Sequence, residues 1–123
     1  MTVLIDSDVL IEVLRGRNAE ILARWAELAD SEDAVLCSPV SAAEIWRRAR
    51  PKDQAAVSKL LGALVCVPID AGTGRQAGEF LSKYHESDSV ELGDALIAAS
   101  VLQQGAHLWT RNRKRYPRKV RFY

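Results

Sequence analysis

A chain of 123 residues, 48% hydrophobic and 27% charged, can bury one real core; it is not a disordered chain, and it is too short for two ordinary domains. No apolar run approaches the roughly 20 residues of a membrane span, and the start MTVLIDSDVL has no basic region followed by a cleavage site, so a single domain over 1–123, cytoplasmic and without a membrane partner, is expected. The net charge of +1 selects no partner, but residues 111–123, RNRKRYPRKVRFY, hold seven of the 17 basic residues and no acid, leaving −6 on residues 1–110; a basic end of this kind suits a phosphate backbone as well as a solvated surface.

In chain order, TVLI is a short apolar strand stopped by Asp6. NAEILARWAELA places Ile21, Leu22, Trp25, Leu28 and Ala29 at helical spacing behind Asn18 as cap. AVLCS is a second strand. SPVSAAEIWRRAR then offers Ser41 as N-cap with Glu44 three places on, and Pro51 ends any continuation. DQAAVSKLLGAL is amphipathic through Ala56, Val57, Leu60, Leu61 and Leu64, and VCVPID is a third strand candidate. The two cysteines, Cys37 and Cys66, each sit inside an apolar run; their spacing fits neither a zinc site nor a disulfide framework, and they read as buried thiols.

Asp70 can cap a helix through RQAGEFLSKYH, with Gly72 and Gly74 loosening its start, and ESDS is linker-like but too short to divide domains. ELGDALIAASVLQQG is a helix apolar on nearly every side, capped by Ser89 and ended by Gly105 in a left-handed position. AHLWT is a fourth strand and VRFY a candidate fifth at the edge. Apolar strands alternating with helices predict an α/β fold, a three-layer α/β/α sandwich with a central, mainly parallel sheet of four to five strands. In such sheets functional groups collect beyond the carboxyl ends of the strands.

Asp6 and Asp8 follow the first strand, Thr110 and Asn112 close the fourth, and Glu44 and Asp94 lie early in helices starting near that edge. Each acid has an ordinary structural use: Asp6 as a turn residue, Asp8 as a cap for the next helix, Glu44 in an S-x-x-E capping box, Asp94 at a helix start. Asp94 resists this best, because Ile97, Ala98 and Val101 make its face apolar, with Glu91 one turn earlier. Brought together, these carboxylates repel one another unless a divalent cation supplies counter-charge, and Mg2+ or Mn2+ suits all-oxygen donors. His85 and His107 are not spaced as ligands; His107, in the fourth strand, is expected to pack or hydrogen-bond.

Four stretches, VLIDSDVLIEVLRG, SPVSAAEIWRRAR, LGDALIAASVLQQG and HLWTRNRKRY, resemble in this order and spacing the PIN-domain ribonucleases, and among them the VapC toxins of toxin-antitoxin pairs. The resemblance covers essentially the whole chain. It implies a PIN-like parallel-sheet sandwich that cleaves RNA with Mg2+ or Mn2+. Asp6 and Asp94 would hold the metal, directly or through water. Glu44 would join them there, also able to act through water, and orient or deprotonate the attacking water. The Thr110 hydroxyl and the Asn112 amide would position ligands or phosphate. Two departures stand out: Asn112 is a neutral amide where some members carry an acid, which weakens the case for a second metal, and Arg115 and Tyr116 stand where many relatives have an acid and an aromatic. The basic end, Arg111, Arg113, Lys114 and Arg115, is expected to contact RNA. The resemblance further implies a homodimer and a VapB-type antitoxin that enters an acidic groove with a basic or aromatic segment; Trp25 and Trp46 could form a dimer surface or belong to the core. Two alternatives remain open. One is a haloacid-dehalogenase-like phosphatase with Asp6 as nucleophile and Asp8 as acid/base. The other is a module, a degenerate PIN domain included, that binds nucleic acid without cutting it.

Overall fold

The computed structural model describes residues 1–84 and 90–123. The Ser89 cap, the ESDS stretch and His85 lie outside the described residues. Four strands, β1 (Thr2–Ile5), β2 (Ala34–Cys37), β3 (Val65–Cys66) and β4 (His107–Trp109), form one sheet in the order β3-β2-β1-β4, with every pair parallel. Among the described residues six α-helices surround it: α1 (Ser7–Arg15), α2 (Ala19–Ala29), α3 (Pro39–Arg48), α4 (Gln54–Gly62), α5 (Ala71–Tyr84) and α6 (Leu92–Gln103).

The strands are apolar throughout because both faces are covered. On β1, Leu4 joins Phe80, Ala95, Ala98 and Val101 from α5 and α6, while Val3 and Ile5 face Val9, Leu10, Ile21, Ile45 and Val57 from α1 to α4. The three-layer sandwich expected from the sequence is thus present, with two helices on one face and four on the other. β1 lies between β2 and β4, so the chain's connections leave it in opposite directions, and a crevice opens at the carboxyl end of β1 and β4.

Local chemistry accounts for the element ends. Asp6 caps α1 by accepting from Ser7 N at 2.8 Å, so strand turns into helix with no loop between them; the sequence reading had not separated this helix and had given the cap to Asp8. Asn18 caps α2 and Asp70 caps α5, as expected. Gly72 and Gly74 lie within α5. α3 begins at Pro39 with Ser38 as its cap, accepting from Val40 N at 3.1 Å. Ser41 is therefore one turn inside the helix, fully buried, and forms no capping box with Glu44. α6 has Glu91 at its N-cap, is buried over most of its length, and ends before Gly105 at φ 60°. Gly93 allows α6 to approach α3: a β-carbon there would lie 3.2 Å from Val40 Cγ1.

Other expectations change. VCVPID contributes only the two residues of β3, at the sheet edge, so Cys66 is exposed while Cys37 is buried. VRFY is not a strand; it makes a single parallel bridge, Leu108 to Phe122, beside β4. Ala29 and Ala56 face solvent, and Trp25 is half-buried and Trp46 41% exposed. No helix among the described residues is long and apolar enough to cross a membrane.

Candidate active site

Parallel pairing of Ile5 with Trp109 sets the residues after β1 beside those after β4, and Asp6 N donates to Trp109 O at 2.9 Å. The Thr110 hydroxyl consequently donates to Asp6 Oδ2 at 2.9 Å, lies 3.3 Å from Asp8 Oδ2, and accepts from Asn112 N at 3.1 Å. Asp8 Oδ2 also accepts from Arg111 N at 3.0 Å. Glu44, on the second turn of α3, is bound to this centre through the Ser7 hydroxyl, which donates to its Oε1 at 3.2 Å. Asp94 Oδ2 accepts from Glu91 N at 3.1 Å across the first turn of α6. From outside the acid set, the buried Tyr116 phenol donates to Asp6 Oδ2 at 2.6 Å.

A cavity of about 310 Å³ is lined by Asp6, Asp8, Glu12, Glu44 and Asp94 together with Arg15, Arg48, Arg111, Arg115 and Asn112. Glu12 holds two of the arginines, Arg15 at 3.0 Å and Arg111 at 3.3 Å. Exposed pairs like these add little stability, but they fix cationic groups at the rim of the pocket. A larger neighbouring cavity of about 470 Å³ shares Ile11, Arg15 and Arg48 with it and is floored by Leu14, Ile45, Ala56 and Val57.

The electrostatics follow from burial and crowding. Asp8 is pushed up to about 6 by burial and then by Asp6, against its hydrogen bonds from Arg111 and Thr110. Glu44 is raised by burial and by Asp6, with the Ser7 bond opposing and Asp94 adding. Asp94 is raised by burial, offset by the Glu91 amide and the Arg115 charge. Burial and the facing Asp6 hold the Tyr116 phenol firmly protonated. Asp8 Oδ1 is buried without a hydrogen-bond partner, so the cluster carries more acceptor capacity and negative charge than its own donors satisfy.

Of the residues singled out in the sequence, Asp6, Glu44, Asp94 and Asn112 line one cavity, Thr110 is bonded to it, and Asp8 joins them. Among the basic candidates Arg111 and Arg115 reach the pocket. Arg113 instead stacks over Phe122 at 5.1 Å, and Lys114 is exposed beyond the rim. Glu91 does not line the pocket; its backbone orients Asp94. His107 makes no hydrogen bond through Nδ1, which is buried and unpartnered. The sequence reading missed Ser7, Glu12, Arg15, Arg48 and Tyr116. For Glu12 and Arg15 a signal existed, since residues 8, 12 and 15 share one helical face; for Tyr116 the one pointer was its place after the fourth strand, where the resemblance puts an aromatic.

No three His, Cys, Asp or Glu side chains among the described residues are already drawn together as a closed metal cage. The donor set nevertheless fits a hard divalent ion: it is all oxygen, it includes an unpartnered buried Asp8 oxygen, and Mg2+ commonly keeps its waters and takes only one or two carboxylates directly.

A doubly covered parallel sheet with carboxylates gathered at its carboxyl edge, beside the β1/β4 switch point, defines the class of open α/β sandwiches that bind their ligands at that edge. Within that class, the PIN domain family model matches residues 3–122. Ribonuclease VapC10 of Mycobacterium tuberculosis is 35% identical over 117 residues, 94% of this chain and 86% of that protein. The chain belongs to the PIN-domain family and is homologous to its VapC ribonucleases. Solved structures share the fold at low identity. VapBC2 from Rickettsia felis, bound to a DNA fragment from its promoter, superposes with TM-score 0.83 at 17% identity over 100% of this chain and 98% of that one. Mycobacterium tuberculosis VapC20, described as a Sarcin-Ricin loop cleaving toxin, gives 0.71 at 19% identity over 88% of each chain.

Proposed function

We propose that this protein is a divalent-metal-dependent endoribonuclease, the toxin of a toxin-antitoxin pair, held inactive by a VapB-type antitoxin. The observation that carries the reading is the convergence of Asp6, Glu44 and Asp94, from three separate elements, in one cavity edged by arginines. Asp6 and Asp94 hold Mg2+ or Mn2+, directly or through water. When bound, the ion supplies positive charge that offsets the charge of the phosphodiester. Glu44 is made more basic than an ordinary glutamate by its burial and by Asp6, and its Oε1 is held by Ser7. Its other oxygen is left to orient the attacking water and take its proton. Arg111 and Arg115 receive RNA phosphates at the rim, and the Asn112 amide positions one of them.

The homology to VapC ribonucleases over nearly the whole chain leaves no place for a haloacid-dehalogenase-like phosphatase. The antitoxin reading draws support from the VapBC neighbours and from the apolar floor beside the acidic pocket. We further read residues 1–123 as one domain, acting in the cytoplasm as a homodimer to which exposed Trp46 contributes. The test is cleavage of RNA by purified protein with Mg2+ or Mn2+, with and without excess chelator, in wild type, Asp6→Asn and Asp94→Asn. Cleavage should disappear in chelator and in both variants. Activity that survives chelator overturns the metal assignment, and RNA binding without any cleavage by wild type identifies a binding module instead.

A further inference from the structure

Tyr116 comes from the basic end of the chain, yet it is 7% exposed and its phenol sits directly on Asp6. A carboxylate oxygen has two lone-pair positions. On Asp6, Oδ2 takes one hydrogen bond from Tyr116 OH at 2.6 Å and a second from Thr110 Oγ1 at 2.9 Å, while Oδ1 takes only Ser7 N at 2.8 Å. Oδ2 is therefore full and Oδ1 has one position left. To bridge two cations a carboxylate must offer two free lone pairs, one on each oxygen or both on one, and Asp6 offers a single one.

We propose that Tyr116 is a positioning residue that, with Thr110, closes Oδ2 of Asp6 and so limits the pocket to a single divalent ion, held through Oδ1. This deepens the metal-dependent reading above and rests on it. The surroundings agree. Asp8 offers no second bridge, because its Oδ2 takes the Arg111 amide and faces the Thr110 hydroxyl at 3.3 Å, which leaves its free positions on Oδ1 alone. Where a second cation would find charge, the pocket presents neutral Asn112 and the guanidinium of Arg115. Tyr116 thus does for the metal site what no acid of the chain does: it removes a ligand position without removing charge.

The experiment counts ions directly. Metal-free full-length protein is titrated with Mn2+ by calorimetry, with free Mn2+ followed by electron paramagnetic resonance, in wild type and in Tyr116→Phe; circular dichroism and thermal unfolding check the fold. Wild type should bind one Mn2+ per chain, and Tyr116→Phe, which frees a lone pair on Oδ2 without changing the ring, should bind a second, weaker one. Thr110→Val opens the other position on the same oxygen and should also admit a second ion, so the test stands if the phenylalanine variant fails to fold. Two ions in wild type overturn the closure of Oδ2. A single ion in a folded Tyr116→Phe overturns the role of Tyr116 and leaves the metal reading intact. No Mn2+ bound by wild type overturns both.

Discussion

Replacing Asp6 with asparagine separates chemistry from folding, because the side chain keeps its shape while losing its charge. Three donors converge on Asp6: Ser7 N, Thr110 Oγ1 and Tyr116 OH. An asparagine whose carbonyl serves the two hydroxyls turns its NH2 toward the Ser7 amide, and the α1 cap is lost at about 1 kcal/mol. The two remaining bonds fall from charge-assisted to neutral, roughly 1 kcal/mol each. Acting the other way, Asp6 is one of the charges that raise Asp8, Glu44 and Asp94, and that repulsion is relieved. The net is about 1–2 kcal/mol of destabilisation, a fall in Tm of roughly 5–10 °C for a domain of this size, within the margin of a normally stable protein. Alanine differs: it leaves all three donors without an acceptor, about 3–5 kcal/mol. Urea unfolding by circular dichroism and RNA cleavage on the same preparations provide the assay. The expected pattern is a folded but inactive Asn variant and a much less stable Ala variant. Cleavage within tenfold of wild type by Asp6→Asn, or equal stability of the two variants, would refute this account of Asp6.

The acidic cluster also sets a pH dependence for the metal-free protein. Asp8 titrates at about 6 against an ordinary 3.8, so between those values the folded state binds more protons than the unfolded one, and stability falls as pH rises from about 4 to 6. Glu44 and Asp94 are shifted in the same direction. Allowing for solvent contact, Asp8 contributes about 1–2 kcal/mol; urea unfolding in chelator at pH 4.5 and 7 measures it, Asp8→Asn should flatten the slope, and a rise in stability across the window contradicts it. Burial and Cys66 push the Cys37 thiol up to about 12, whereas Cys66 is exposed. Iodoacetamide on the native protein should therefore add one adduct by mass spectrometry, at Cys66; modification of Cys37 at a comparable rate would contradict its burial. Lys114→Ala should weaken RNA binding and lower the salt slope of log K by about 0.7 with stability unchanged within about 0.5 kcal/mol. An unchanged slope takes Lys114 out of the RNA contact.

Much of the architecture was legible because it rests on local patterns. Strands buried on both faces must be apolar, and α6, covered nearly all round, read as such with Asp94 as its anomaly. The capping residues Asn18 and Asp70 and the left-handed Gly105 were equally local. The site was partly legible for a related reason: strand ends and helix starts locate Asp6, Glu44, Asp94 and Thr110 at one edge once the sheet is known to be parallel. Local patterns also misled. Ser41 and Glu44 match a capping box, but Pro39 is favoured at a first helical position, which makes Ser38 the cap and frees Glu44 for the pocket. α1 stayed hidden because Asp6 ends a strand and starts a helix at once. Cys66 is exposed because β3 is a two-residue edge, and VRFY makes only one bridge; both depend on which strand lies outermost. Tyr116 meets Asp6 across 110 positions, a pairing that only the folded sheet creates.

That pairing has a consequence in time. A chain translated as far as Trp109 already contains Asp6, Glu44 and Asp94, but Asp6 still lacks both groups that hold its Oδ2, since Thr110 and Tyr116 are made later. In a nuclease, such an order of synthesis leaves the pocket unfinished until Tyr116 itself has been translated.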